Sequence, residues 1–266
     1  SAGWGGQARV IGTLGVAFNN FSLRNITNRE AWKPLPMGDG QRLSLRAQTN
    51  GDFFQSYNAS FTEPWLGGKK PNALTVAGFY NRFAFGTRGT PSRQQFNIIQ
   101  GSVSLGTRLK WPDDNFVSNT ALNIQTLRLD NWQRGLFRTD DGGLVTDGNY
   151  NNFSIRQTIA RSTIADPIFP RNGSRISLTL QFTLPYSKIF FRDKDYSDLD
   201  PQEKFRWLEY HKWRFDAEWY APIAGKLTLR AAAKIGILAF YNPDIGAPPF
   251  ERFQLGGDGI NNQQFG

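Results

Sequence analysis

Hydrophobic and polar residues alternate through most of this chain. In 176–184, Ile176, Leu178, Leu180, Phe182 and Leu184 share one face and Ser177, Thr179, Gln181 and Thr183 the other. In 212–220, Trp213, Phe215, Ala217 and Trp219 oppose Lys212, Arg214, Asp216 and Glu218. The same scheme runs through 226–237, 41–48, 55–62 and 99–111. A period of two is that of a β-strand with one apolar and one polar face. No segment sustains a 3.6-residue period with capping signals, so the pattern predicts an all-β protein. Segments such as 99–111 and 176–184 outrun the usual 5–6-residue strand of a sandwich. They match the reach of a tilted strand across a bilayer.

The connections predicted between these strands fall into two classes that take turns. Short ones lie at 66–72, 111–115 and 222–226, and long polar ones at 82–95, 130–150 and 186–205. Short turns on one side and long loops on the other are the habit of outer-membrane barrels. The segment 20–40 is long where the order calls for a turn. Trp65, Trp111, Trp132, Trp207, Trp219 and Tyr220 sit near strand ends, as in the aromatic girdles of a membrane barrel, although Trp and Tyr also favour strands in general.

Composition narrows this further. Among 266 residues there is no cysteine and one histidine, His211, so disulfides and thiolate or His-rich metal sites are excluded and a histidine-based triad finds no support. Mean hydropathy is negative and no 18-residue apolar run occurs, which excludes a helical membrane protein. The net charge of +9 is dispersed rather than gathered into a Lys/Arg run. It therefore reads as basic side chains on polar strand faces, with no nucleic acid partner. Arg214, Asp216 and Glu218 alternating in one strand suit a water-filled lumen; a soluble sandwich would need that face as its outer surface. Asp193, Asp195, Asp198 and Asp200 offer oxygen for Ca²⁺ but lack the glycine and distal glutamate of an EF-hand loop, so they read first as a solvated acidic patch of an outer loop. No nucleophile elbow, phosphate loop or carboxylate pair stands out, so neither an enzyme nor a cofactor is expected. SAGWGGQ at the start is no signal peptide, and with GINNQQFG at the end the chain reads as a piece of something longer.

Four stretches carry a resemblance: FTEPWLGGKKPNAL (61–74), DPIFPRNGSRISLTLQFTLP (166–185), WYAPIAGKLTLRAAAKIG (219–236) and PFERFQLGGDG (249–259). They resemble the barrel of the outer-membrane β-barrel assembly factor family (BamA type). The strand-ending turn is matched by Thr62, Glu63, Pro64 and Trp65, and the FP-x-x-G turn by Phe169, Pro170 and Gly173. Tyr220 and Pro222 match a strand-ending Y-x-P, and Pro249, Phe250, Phe253, Gly256 and Gly257 match the start of the sixth outer loop. The family's [VI]RGF loop tip is absent. The EPWLGGKKPN turn and the 20–40 insertion resemble the Bacteroidetes branch.

The resemblance implies a transmembrane antiparallel β-barrel, with about eleven of an expected sixteen strands in this chain. Residues 1–266 would be the N-terminal and central part of the barrel domain, ending in the sixth outer loop (242–266), with POTRA repeats upstream and the last strands beyond. Strands are expected at roughly 1–7, 8–19, 41–50, 55–65, 73–83, 96–110, 116–129, 150–161, 174–185, 206–221 and 227–241. The implied function is folding and insertion of β-barrel proteins into the outer membrane of a Gram-negative bacterium. The implied partners are unfolded barrel substrates, periplasmic or surface lipoprotein subunits, lipid and lipopolysaccharide. The first strand (Gly3, Trp4, Gly5, Gly6, Gln7) would form one side of a lateral seam, its glycines weakening the strand; a frayed chain end explains those glycines equally well. The sixth-loop segment (Pro249, Phe250, Glu251, Phe253, Gly256, Gly257, Gly259) would fold back into the lumen and brace the wall. Arg42, Arg46, Arg108, Lys110, Arg214, Arg230 and Lys234 would face that lumen. A passive porin or substrate channel, a polypeptide-translocating member of the same superfamily, and a soluble carbohydrate-binding module are the rival readings.

Overall fold

The alternating segments form a single antiparallel sheet in which every strand pairs with its neighbours in chain order. The structure is a computed structural model that describes residues 2–5, 8–68, 70–134, 137–140 and 142–253, with 2–5 and 8–10 as backbone alone. Eleven strands are present among the described residues: β1 (Ala2–Gly5), β2 (Ala8–Phe21), β3 (Gln41–Asn50), β4 (Phe54–Glu63), β5 (Ala73–Phe85), β6 (Gln94–Arg108), β7 (Phe116–Asp130), β8 (Gly148–Ser162), β9 (Gly173–Thr183), β10 (His211–Ala224) and β11 (Leu227–Ala239). β1 and β11 are the edges, and no pairing joins them among the described residues.

The register separates the two faces. Phe96, Ile98, Gln100 and Ser102 of β6 stand opposite Leu129, Leu127, Gln125 and Asn123 of β7, which in turn face Tyr150, Asn152 and Ser154 of β8. This inner face carries the buried cluster of the protein and, further along, Arg156, Gln181, Lys212, Arg214, Asp216 and Glu218. The outer face carries the apolar half of each strand, and it is exposed: Leu14, Val16, Leu45, Val76, Val103, Ile124, Ile155, Ile176, Trp213, Ile235 and Ile237 all show substantial surface. An exposed apolar band this continuous is what a bilayer, rather than water, covers.

The connections alternate as the sequence predicts. At one end, the loop side, lie 51–53, 86–93, 131–147 and 184–210; at the other, the turn side, lie 22–40, 64–72, 109–115, 163–172 and 225–226. The long 22–40 segment is held to itself. Ser22 N–H donates to the Pro36 carbonyl at 2.9 Å, Asn25 Nδ2 to the Met37 carbonyl at 2.8 Å, and Leu23 N–H to Gln41 Oε1 at 2.8 Å.

Four expectations need correction. Trp132 belongs to no girdle: it is 4% exposed inside the buried cluster, because its chain position falls in the 131–147 loop that folds over the inner face. Tyr220 also faces inward, donating to Glu218 Oε2 at 3.2 Å, since it continues the polar register of β10. Lys110 lies in the 109–115 turn and not on a strand face. Trp65, Trp111, Trp207 and Trp219 are exposed near strand ends.

β10 begins at His211, not 206. β9 stops at Thr183 just before Pro185, which has no N–H to continue the ladder. Residues 206–208 then take its place beside β8: Asn151 N–H donates to the Arg206 carbonyl and Leu208 N–H to the Asn151 carbonyl, both at 2.9 Å.

The faces give a direct test. In full-length protein folded in phospholipid vesicles, Ile235→Arg on the outer face should cost about 2–4 kcal/mol of stability, as cations do near the bilayer midplane. Ala232→Arg, inward and opposite Glu218, should cost little. Equal shifts of the urea midpoint for both variants would show that the outer face is not in lipid.

Candidate functional site

The site lies at the loop side of the inner face, where the segment after β11 turns back over the sheet. Asn242 starts that turn: its carbonyl accepts from Ile245 N–H at 3.3 Å and Gly246 N–H at 3.1 Å. Gly246 sits at φ +78°, and a Cβ there would come 2.8 Å from Asp140 Oδ2. Asp140 fixes the turn from the 131–147 loop, accepting from Ala247 N–H at 3.1 Å and pairing with Arg252. Pro248 is fully buried. Two consecutive prolines restrict the chain at its entry onto the inner face.

Three side chains of this segment then meet the wall. Phe250 lies against Phe137 and Tyr150, with ring centroids at 4.7 and 4.5 Å. Glu251 is buried; its Oε1 accepts from Asn152 Nδ2 at 3.0 Å and its Oε2 pairs with Lys212 Nζ at 3.2 Å. Phe253 covers Gly236 of β11 so closely that a Cβ there would come 2.7 Å from the ring, and Lys212 Nζ stands 4.7 Å from its centroid. Gly236 is thus a seat made by the absence of a side chain.

Tyr210 supports the glutamate from below. It is fully buried; its hydroxyl accepts from Gln181 Nε2 at 2.6 Å and Asn152 Nδ2 at 3.0 Å. Its backbone is pinned to Thr183, whose N–H donates to the Tyr210 carbonyl at 3.0 Å and whose Oγ1 accepts from Tyr210 N–H at 2.7 Å. Burial, with the Glu251 carboxylate second, pushes the Tyr210 phenol well above its ordinary range, so it keeps its proton and stays a fixed dipole. The neighbouring 184–210 loop is anchored through Glu209, whose carboxylate accepts from the Ser187 backbone N–H and, at 2.8 Å, from Ser187 Oγ. Burial raises the Glu209 pKa, and the Ser187 bonds only partly offset this. Nothing in this arrangement is a nucleophile with a base. It is a set of contacts that holds one peptide segment against the sheet.

The structure brings Phe250, Glu251 and Phe253 together on the inner face, with Pro249 next to them. Gly256, Gly257 and Gly259 lie outside the described residues, as do Gly6 and Gln7. Gly3, Trp4 and Gly5 are in edge strand β1. The turn motifs lie at the opposite, turn-side end. Glu63 closes β4, its Oε1 accepting from Trp65 N–H at 3.0 Å and its Oε2 from Gln41 Nε2 at 2.7 Å, while Pro64 ends the ladder. Phe169 is exposed and Pro170 half-buried in the 163–172 turn. Gly173 opens β9 at φ +101°, where a Cβ would come 2.7 Å from the Thr163 carbonyl oxygen. The basic inner face is as expected for Arg42, Arg46, Arg108, Arg214, Arg230 and Lys234 by register, but the cation that meets Glu251 is Lys212. No group of His, Cys, Asp or Glu among the described residues forms a metal-sized cluster, Asp193, Asp195, Asp198 and Asp200 included.

The sequence reasoning did not single out Asn152, Gln181, Tyr210 or Gly236. Lys212 and Gly236 stand on polar-face positions that alternation marks. Tyr210 carries no such signal, because 206–210 (Arg, Trp, Leu, Glu, Tyr) does not alternate.

The sequence model of the Omp85 superfamily domain matches residues 37–261, which covers the sheet from just before β3 and the whole turned-back segment. The chain belongs to the Omp85 superfamily. No curated protein matches it. Membership and the strand architecture together place this Omp85 chain among outer-membrane β-barrel proteins of protein biogenesis or translocation.

The anchor of the Omp85 segment is testable by proteolysis. Removing one partner of a mostly buried charged bond leaves the other unsatisfied, at a cost of about 1.5–3 kcal/mol. In the folded full-length protein, Lys212→Met should raise tryptic cleavage after Arg252 about tenfold or more, since local opening sets that rate. Lys212→Arg should keep the protection. An unchanged rate in Lys212→Met would mean the pair does not hold the segment.

Proposed function

We propose that this Omp85 chain is barrel of a BamA-type assembly factor that folds and inserts other β-barrel proteins into the outer membrane of a Gram-negative bacterium, with a Bacteroidetes-like sequence. Residues 1–266 form its N-terminal and central barrel, with the sixth outer loop at 242–266. Its partners are unfolded barrel substrates, lipoprotein subunits of an assembly complex, and the surrounding lipid and lipopolysaccharide. The work is non-covalent.

The physical problem such a factor solves is an edge problem. An unpaired N–H or C=O in hydrocarbon costs several kcal/mol, so a substrate strand entering the bilayer needs a partner strand already there. The observation that carries the reading is the weakness of β1. Among the described residues it spans Ala2–Gly5 and meets β2 at Ala2↔Gly12, Gly3↔Ile11 and Gly5↔Ala8, with a register shift between Gly3 and Gly5. The pairing of β7 with β8, by contrast, runs without a shift from Phe116↔Arg161 to Leu129↔Gly148. A glycine-rich edge strand lends its backbone to an incoming strand by β-augmentation at little loss of its own packing. The braced sixth-loop segment supports the reading from the other side, because it keeps the inner wall rigid while one edge exchanges partners.

The experiment is site-specific photo-crosslinking in cells with a photoreactive residue at Gly3, Gly5 or Val103. A stalled barrel substrate should crosslink through its terminal strand at Gly3 and Gly5 and not at Val103, which lies on the outer face of β6 well inside the sheet. Equal crosslinking at all three positions, or none, would remove the seam.

A further inference from the structure

On the outer face a row of polar residues crosses the apolar band at its loop-side margin. Cross-strand register puts Gln55, Arg82, Asn97, Arg128 and Asn149 directly opposite one another across β4 to β8. The next row towards the turn side is Tyr57, Tyr80, Ile99, Thr126 and Asn151, and beyond it Ile124 and Phe153 lie on apolar surface. The row is therefore the boundary at which lipid-facing character ends.

Its depth can be estimated. The matching boundary at the turn side is the pair Phe116 and Arg161, where Arg161 is held by Asp113 at 2.8 Å. From residue 116 to residue 128 the strand climbs about 40 Å at ~3.4 Å per residue. With the tilt of about 40° usual for such strands, this is roughly 30 Å along the membrane normal, close to the thickness of the hydrocarbon. Arg82 and Arg128 thus stand at headgroup depth.

We propose that Arg82 and Arg128, with Asn97 between them, form a site for the phosphate of an anionic lipid headgroup in the loop-side leaflet. Two strands apart, their backbones are separated by about 10 Å, which two arginine side chains span to close on one phosphate from either side. The short Asn97 leaves the space between them. Among the described residues Arg128 is exposed and makes no ion pair, and Arg82 makes a single side-chain bond, to Gln95 Oε1 at 3.3 Å. Asn97 Oδ1 has no hydrogen-bond partner among the described residues. At the same end, just before β6, Arg93 also has Nε and Nη2 buried without partners. Two carboxylates lie near the row: Asp130, two residues from Arg128 on the same face and opposite Gln95, and Asp147, two residues from Asn149 and accepting from Asn131 N–H at 2.8 Å; neither makes an ion pair with either arginine among the described residues. Guanidinium groups fit phosphate because their fork donates two parallel bonds.

The site rests on the membrane placement proposed above, but its test does not use barrel insertion. Full-length protein in neutral detergent is titrated with a bisphosphorylated glycolipid, and bound lipid is counted by native mass spectrometry, with phosphatidylcholine as baseline. Arg82→Gln/Arg128→Gln should lower the affinity about tenfold or more, as expected for lost charge-assisted contacts. Arg128→Gln alone should give part of that loss, and Arg88→Gln, in the 86–93 loop, none. Heat-modifiable gel mobility checks that each variant is folded. Equal lipid retention by the double variant and the parent overturns the site. Displacement by excess inorganic phosphate overturns its assignment to a headgroup. Intact lipid binding in a protein that fails to insert barrels would sink the proposed function and leave the site standing.

Discussion

The rest of this structure depends on one constraint: backbone polar groups within hydrocarbon have no water to turn to. A sheet meets it only with an uninterrupted ladder, and the ladder here is regular through the middle of every long strand. Its shifts fall near strand ends, between Phe18 and Phe21, between Pro222 and Ala224, and between Gly3 and Gly5. The first two lie beside turn-side connections, where backbone groups can reach water or the turn itself. The third is in β1, whose described residues are Ala2–Gly5. The same constraint that makes the sheet stable makes an incomplete edge valuable, because an edge is the one place where a foreign strand finds its partners already aligned.

A sheet with one face in lipid must put its polar half inward, and an inward polar face must be hydrated or paired. This Omp85 chain pairs part of it. Glu251 enters a pocket where Asn152, Lys212 and, through Asn152 and Gln181, Tyr210 form one connected network. Around it the aromatic cluster built from Phe96, Trp132, Phe137, Tyr150 and Phe250 closes the loop side. Three separate connections, 131–147, 184–210 and the segment after β11, are thereby tied to one patch of sheet. The network specifies position as well as strength: a carboxylate with two donors and a ring seated on a bare glycine fix the segment to one register.

Much of the fold was legible because the period of two is enforced by burial on both faces at once. Strand positions such as 41–50 and 227–239 follow from alternation within two residues. The failures have local causes. A strand expected from 206 starts only at His211: residues 206–208 bond to β8 beyond the end of β9 before the chain enters β10, a change of partner no periodicity records. Trp132 looks like an interfacial residue because it ends a strand, and its burial depends on the path of a loop. The site was legible in its loop half, where motif spacing marks Phe250, Glu251 and Phe253. It was not legible in its wall half, because Asn152, Gln181, Lys212 and Gly236 come from four strands and meet only through register.

The central claim is that the chain belongs to a machine that speeds insertion of other barrels. The most direct measurement reconstitutes the full-length protein in liposomes and follows the heat-dependent gel shift of an unrelated outer-membrane barrel as it folds. The expected result is clear acceleration over empty liposomes. Folding at the rate of empty liposomes, with a steady ion conductance through the protein instead, would contradict it and make this Omp85 chain part of a channel.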